Sequence, residues 1–254
     1  MTRGLEIASI PGLPEVREGD ELGALIGAAA ANADIELANG DVIVVAQKVV
    51  SKAEGRVREL REVEPAERAS DLAGRLGKDP RLVELILSES ARVVRAERGV
   101  LVVETRQGWI CANAGIDASN VPGADAVALL PVDPDASARR VRAEFADVAG
   151  ARPALLVADT FGRPWRLGQT DVAIGCAGLI ALDDWRGRVD RNDRELTATT
   201  IAIADELAAA ADLARDKAAG VPAVVVRGAE RWVTSEDGPG AAVLRRAAED
   251  DLFR

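Results

Sequence analysis

Short apolar runs alternate along the chain with stretches in which apolar residues recur every three or four positions, the pattern of strands interleaved with amphipathic helices. Residues 5–10 predict a short strand, stopped by the turn Pro11-Gly12-Leu13-Pro14. Behind it Leu22, Leu25, Ile26, Ala29 and Ala30 repeat with helical spacing, and Asp20 is placed to cap that helix. The Val and Ile run of residues 41–50 predicts a buried strand. Two helices follow, over about 65–76 and from Asp79-Pro80 onward, the second with Leu82, Leu85 and Ile86 on one face. Residues 100–104 and 109–113, parted by Arg106-Gln107-Gly108, suit a β-hairpin.

Beyond Pro131 the segment Val132-Asp133-Pro134-Asp135 leads into a helix with Ala138, Val141, Phe145 and Val148 on one side. Residues 154–158 predict a strand ending at Asp159, and the glycine-rich, polar stretch 160–178 reads as a loop. The alanine-rich pattern over about 197–217 predicts a long helix, 222–226 another strand and 239–248 a last helix. No linker rich in Pro, Gly and Ser divides the chain, so residues 1–254 read as one domain of mixed fold.

Composition narrows the chemistry. Of 254 residues 48% are hydrophobic and 29% charged, which excludes fibrous and disordered classes. There is no histidine and no tyrosine, so imidazole-based triads, dyads and metal sites are out of reach. A net charge of −10 opposes nucleic acid and anionic membrane as partners. Cys111 and Cys176 are too few for a disulfide framework or a four-thiolate zinc site, no run reaches bilayer length, and no secretory leader is visible, so the expected location is the cytoplasm.

Oxygen and cationic groups must therefore carry any reaction. Asn113-Ala114-Gly115-Ile116-Asp117-Ala118-Ser119-Asn120 crowds amide, carboxylate and hydroxyl groups into a loop after a strand. Asp117 suits a hard cation and Asn120 a phosphate oxygen or base, while an Asx-type turn uses the same residues for their own backbone. Asp159-Thr160 at a strand end has the donor set of phosphoryl-transfer sites, and equally that of a cap or turn. The following Phe161-Gly162-Arg163-Pro164-Trp165-Arg166-Leu167-Gly168-Gln169-Thr170-Asp171 adds two guanidinium groups, fit for an anionic substrate beside a metal or for ordinary surface ion pairs. Lys52 is one of four lysines and can serve as a point charge on phosphates, although no Walker A loop surrounds it.

Taken in order, these segments resemble the coenzyme F420-0:L-glutamate ligase family. The resemblance spans nearly the whole chain and rests on Gly12-Leu13-Pro14, on Gly40-Asp41-Val42-Ile43-Val44-Val45 leading to Ser51-Lys52-Ala53-Glu54-Gly55-Arg56, and on residues 113–121. It continues through Leu129-Leu130-Pro131-Val132-Asp133-Pro134-Asp135, residues 159–171, Ala204-Asp205-Glu206 and residues 221–228. It implies the intertwined α+β fold of that family, with mixed sheets and helices, and a homodimer. It also implies a ligase that uses GTP to join L-glutamate to the deazaflavin precursor F420-0 through an acyl phosphate, with Mg²⁺ or Mn²⁺ and with K⁺ as a further cation. Carried across, the nucleotide contacts fall on Leu13, Pro14, Glu15, Val16, Gln47, Lys52 and Asn120, and the metal ligands on Asp117, Asp159 and Thr160.

Arg163, Arg166 and Gln169 are added from charge and proximity as holders of phosphate or anionic substrate, the two arginines together with Asp117 and Asp159 making the expected catalytic set. Two departures stand out. A metal-binding acid of some relatives aligns near Lys217, with Asp216 as the neighbouring acid, and Asp193 replaces a more usual glycine. The chain stops near residue 254, where some relatives continue into a flavin-binding domain, so a stand-alone ligase is expected. A metal-dependent phosphotransferase or nucleotide hydrolase, or a non-catalytic binder of nucleotide and coenzyme, are the competing classes.

Overall fold

The computed structural model describes residues 4–119, 123, 125–215 and 220–252. The first half of the chain forms β1 (Glu6–Ile10), α1 (Leu22–Asn32), β2 (Val42–Ala46), α2 (Gln47–Ala53), β3 (Val57–Glu59), α3 (Glu67–Leu76), α4 (Pro80–Ser88), β4 (Ser90–Glu97), β5 (Val100–Thr105), β6 (Ile110–Ala112) and β7 (Ala126–Ala128). The second half forms α5 (Pro134–Ala149), β8 (Ala154–Arg163), β9 (Arg166–Ala177), β10 (Asp183–Asp184), β11 (Thr200–Ile201), α6 (Ile203–Asp212) and β12 (Ala223–Arg227). The α+β expectation, several mixed sheets with helices, holds.

Valine and isoleucine fill β2 without a polar break because both of its faces are covered. Ile43 and Val45 turn to one side with Leu155 and Val157 of β8, where Leu22 and Ile26 of α1 and Val141 and Phe145 of α5 pack on them. Val42 and Val44 turn to the other, with Leu156 and Ala158, under Ile203, Leu207 and Ala211 of α6. The result is a three-layer sandwich around one five-stranded sheet of order β1-β12-β2-β8-β9, in which only β2 and β8 run parallel. A smaller unit, α3 and α4 on the sheet β4-β5-β6, buries Leu72, Val83, Ile86, Leu101 and Val103.

Several expectations are corrected. The strand expected over 41–50 ends at Ala46, and the rest of the run is α2, because a short apolar run fits a buried helix as well as a strand. The stretch 160–178 is not a loop. It is an antiparallel hairpin in which β8 runs on to Arg163 and pairs back along β9, so cross-strand hydrogen bonding overrides its polar composition. The helix expected over 197–217 is described only as Ile203–Asp212, preceded by the β-branched Thr200 and Ile201 in β11. Residues 239–248 form no α-helix; a 3-10 turn, Ala241–Leu244, follows Gly240 at φ 83°, and the Asp135 carboxylate accepts hydrogen bonds from the amides of Ala241 and Ala242. Asp20 does not cap α1, since its carboxylate accepts from the Arg17 amide at 2.7 Å, and Val148 is exposed at the end of α5. The strand β4 went unpredicted, its exposed face breaking the apolar pattern.

The largest side chain sealed in the core is Arg142 of α5, whose side chain is 1% exposed. Its guanidinium donates to the carbonyls of Pro153 at 3.0 Å and Thr234 at 2.6 Å and to the Asp237 carboxylate at 2.6 Å. It thereby ties α5 to the segment that follows β12. A methionine there removes that donor from the Pro153 and Thr234 carbonyls and leaves Asp237 with Arg152 alone, so Arg142→Met is predicted to destabilise the fold by about 3 kcal/mol and to lower Tm by roughly 10 °C. Differential scanning calorimetry of the two proteins checks this, and an unchanged Tm refutes it.

Candidate functional site

The carboxyl ends of the parallel pair β2 and β8 leave a crevice at the sheet edge, the usual place for a ligand in such a layout. A cavity of about 850 Å³ opens there. The loop after β1 brings Leu13, Pro14, Glu15 and Val16 to its wall, and the start of α2 brings Gln47 and Lys48, with Lys52 one turn on. Asp117 and Ser119 enter from the loop after β6, Asp159 and Thr160 from β8, Gln169 and Asp171 from β9, and Asp212 and Arg215 from the end of α6. The Asp117 and Asp159 loops therefore converge on one cavity, as the expected mechanism requires.

Each acid has a distinct electrostatic setting. Asp159 ends the apolar core of β8 with its carboxyl at the cavity floor. Burial, reinforced by the nearby Asp117 charge, pushes its pKa up to about 7, although the Thr160 amide, Lys48 and Arg215 work the other way. Burial also acts upward on Asp117, but the Lys48 ammonium and Ser119 bring that carboxyl below the usual carboxylate range. Lys48 Nζ lies 2.9 Å from Asp117 Oδ2 and donates to Ser119 Oγ at 2.5 Å, while the Ser119 amide donates to Asp117 Oδ1 at 2.7 Å.

Thr160 and Asp171 are cross-strand partners, and the Thr160 hydroxyl donates to Asp171 Oδ1 at 2.7 Å. The register of that pairing is set by a bulge one turn back, between Val157 and Ala158. Asp171 also binds the Arg215 guanidinium, whose burial lowers its pKa and whose Nε has no hydrogen-bond partner among the described residues. Gln47 spends its amide nitrogen on Ser51 Oγ and the Leu129 carbonyl, leaving Oε1 buried and unpartnered among the described residues. Lys52 Nζ holds Glu15 Oε1 at 2.6 Å.

Of the residues singled out in the sequence, Leu13, Pro14, Glu15, Val16, Gln47, Lys52, Asp117, Asp159, Thr160 and Gln169 share this cavity. Asn120, Lys217 and Asp216 lie outside the described residues. Arg163 and Arg166 do not line this cavity: they stand on the exposed far end of the hairpin, with Arg163 Nη2 donating to the Leu167 carbonyl at 2.7 Å. The cavity's guanidinium is Arg215 instead. Lys48 was missed because residues 41–50 read as strand; in the helix Gln47–Ala53, the i, i+4 spacing puts Lys48 and Lys52 on one face. Asp171 carried no signal beyond its neighbours, since only the strand register places it opposite Thr160.

Among the described residues no three acids, histidines or cysteines stand together as a metal cage. Two carboxylates and a hydroxyl facing one cavity nonetheless fit a hard cation that completes its shell with phosphate oxygens and water. The raised pKa of Asp159 marks a charge the protein by itself does not offset. Carboxylates for a cation, and ammonium and guanidinium groups for an anion, define the class of site at which a charged substrate is activated.

Known proteins resemble this chain over nearly its whole length. The family model for F420-0:gamma-glutamyl ligases matches residues 12–228. The coenzyme F420:L-glutamate ligase of Methanothermobacter thermautotrophicus is 44% identical over 99% of both chains. Those of Methanopyrus kandleri, at 43% over 98% of both chains, and of Natronomonas pharaonis, at 45% over 98% of this chain and 95% of its own, are similar. The chain belongs to the F420-0:gamma-glutamyl ligase family and is an enzyme of the ligase class. No helix among the described residues is long and apolar enough to cross a membrane.

The two thiols are buried and lie outside the cavity lining. Cys111 packs behind Asp159, and burial with that acid's charge pushes its pKa up to about 12; burial likewise takes Cys176 to about 12. Both are therefore expected to resist Ellman's reagent in the native protein at pH 8 and to react fully in denaturant. Rapid native labelling would show that one of them reaches solvent as a thiolate.

Proposed function

We propose that this chain adds L-glutamate to the deazaflavin coenzyme precursor F420-0 at the expense of GTP, through an acyl phosphate, in the cytoplasm and as a homodimer. The observation that carries the reading is the convergence of Asp117, Asp159 and Thr160 with Lys48, Lys52 and Arg215 on one cavity, in a chain of this family. Asp117, Asp159 and Thr160 would hold Mg²⁺ or Mn²⁺, with K⁺ as a further cation. When bound, the divalent ion supplies positive charge against the phosphate oxygens.

Leu13, Pro14, Glu15 and Val16 with Gln47, Lys52 and Asn120 would take the nucleotide. Lys52 exchanges Glu15 for phosphate, and the free Gln47 Oε1 offers an acceptor to a donor of the nucleotide. The terminal carboxylate of F420-0 attacks the γ-phosphorus and GDP leaves. The glutamate amine then attacks the acyl carbon, the phosphate departs and the amine gives up a proton. Neither step calls for imidazole, because positioning and charge do most of the work of phosphoryl transfer.

Incubation with GTP, Mn²⁺ or Mg²⁺, L-glutamate and F420-0 is expected to yield product heavier by one glutamate, with GDP, and Asp159→Asn is expected to abolish it while the circular dichroism stays native. No product with either metal rejects the reading, and GTP hydrolysis independent of glutamate and F420-0 puts a nucleotide hydrolase in its place.

The homodimer reading draws on the hairpin end, where Trp165 is 81% and Leu167 98% exposed. Arg163 and Arg166, kept here as substrate-binding residues, meet substrate only where this arm of one copy lies over the cavity of another. Leu167→Asp is therefore expected to halve the mass seen by light scattering after size exclusion, and a dimer of unchanged mass and concentration dependence separates the arm from assembly.

A further inference from the structure

The cations of the cavity are already engaged with acids of the same cavity. Lys52 holds Glu15, Arg215 holds Asp171, and Lys48 holds Asp117. The last pair matters most, because the oxygen it occupies is one that the proposed function gives to the divalent ion. Asp117 Oδ1 is taken by the Ser119 amide and Oδ2 by the Lys48 ammonium. A carboxylate oxygen has a second lone pair, but an ammonium and a divalent ion held on the same Oδ2 stand close enough to repel each other strongly. An ion arriving at Oδ2 therefore drives Lys48 off the carboxylate.

Its departure is confined to the side chain. Around Lys48, α2 is buried through Gln47, Val49, Val50 and Ser51, and Gln47 ties the helix to the Leu129 carbonyl, so the backbone stays fixed. The flexible stem of the lysine, on the helix face it shares with Lys52, lets its head swing within the cavity that it lines. Glu15, Asp171 and Asp212 carry other cations and Asp159 is given to the ion, so an incoming anion offers the displaced ammonium a stronger partner than the Ser119 hydroxyl it already touches.

We propose that Lys48 couples uptake of the divalent cation to binding of the nucleotide: its ammonium neutralises Asp117 first, then moves to the phosphates as the ion takes the carboxylate. The inference rests on the cation and nucleotide parts of the proposed function and assigns Lys48 as the residue that makes them interdependent. Coupling of this kind is reciprocal, so each ligand raises the affinity for the other by the same factor.

The test is Mn²⁺ titration followed by electron paramagnetic resonance, with and without GDP and corrected for Mn²⁺ held by GDP alone, on five proteins of native circular dichroism. Without nucleotide, Lys48→Met is expected to bind Mn²⁺ about fivefold tighter than the wild type, since a partly exposed ion pair is worth up to that factor. GDP is expected to tighten Mn²⁺ binding in the wild type and to lose most of that effect in Lys48→Met. Lys48→Arg keeps the competing charge and is expected to follow the wild type. Lys52→Met, which removes an equal charge that does not touch Asp117, is expected to leave nucleotide-free Mn²⁺ affinity near the wild-type value.

A Lys48→Met protein that binds Mn²⁺ no tighter than the wild type, or a Lys52→Met protein that tightens it equally, overturns the coupling role while the cation site stands. Absence of Mn²⁺ binding in the wild type with and without GDP, matched by Asp117→Asn, overturns the cation site itself and the coupling with it.

Discussion

The costly act in this structure is the placing of the Asp159 carboxyl at the end of an apolar strand, on the floor of a cavity where burial and the Asp117 charge both oppose its ionisation. Much around it answers that cost. Lys48 and Arg215 bring positive charge near, the Thr160 amide donates to the carboxyl, and the Thr160 hydroxyl turns instead to Asp171. The offset is incomplete, and a pKa near 7 is its mark. A site so arranged gains from any cation that arrives with an anion.

The rigid part of the device is the three-layer sandwich. With β2 and β8 buried on both faces, their ends are fixed relative to each other, so the turn from β2 into α2 and the exit of β8 present Gln47, Lys48, Asp159 and Thr160 at constant spacing. Other parts of the family pattern serve this frame. The Asp135 carboxylate accepts hydrogen bonds from the amides of Cys176, Ala241 and Ala242, and Asp205 from that of Ala173, so these acids hold backbone in place behind the site. Glu54 does the same for α5 through the Ser137 hydroxyl and Arg140.

Much of the site was legible in the chain because its loops carry unusual groupings: the oxygen-rich stretch from Asn113 and the Asp159-Thr160 pair after an apolar run. Nearness in sequence does not by itself place a charge beside the cavity of its own chain. Arg163 and Arg166 are a few residues from Asp159, but an extended strand rises about 3.3 Å per residue and carries them out along the hairpin. Arg215, more than fifty positions away, comes back to the cavity because α6 packs against β9 and Arg215, just beyond the end of that helix, pairs with Asp171 of β9.

The amino-acid order by itself determined the alternation of strands and helices, the absence of imidazole chemistry and the acids at the two loops, because periodicity and composition are local properties. Tertiary structure alone decided that 160–178 is a hairpin, that Lys48 shares a helix face with Lys52, and that Thr160 meets Asp171. Strand register and helix packing are settled by which distant surfaces bury one another, and no window of sequence contains both partners.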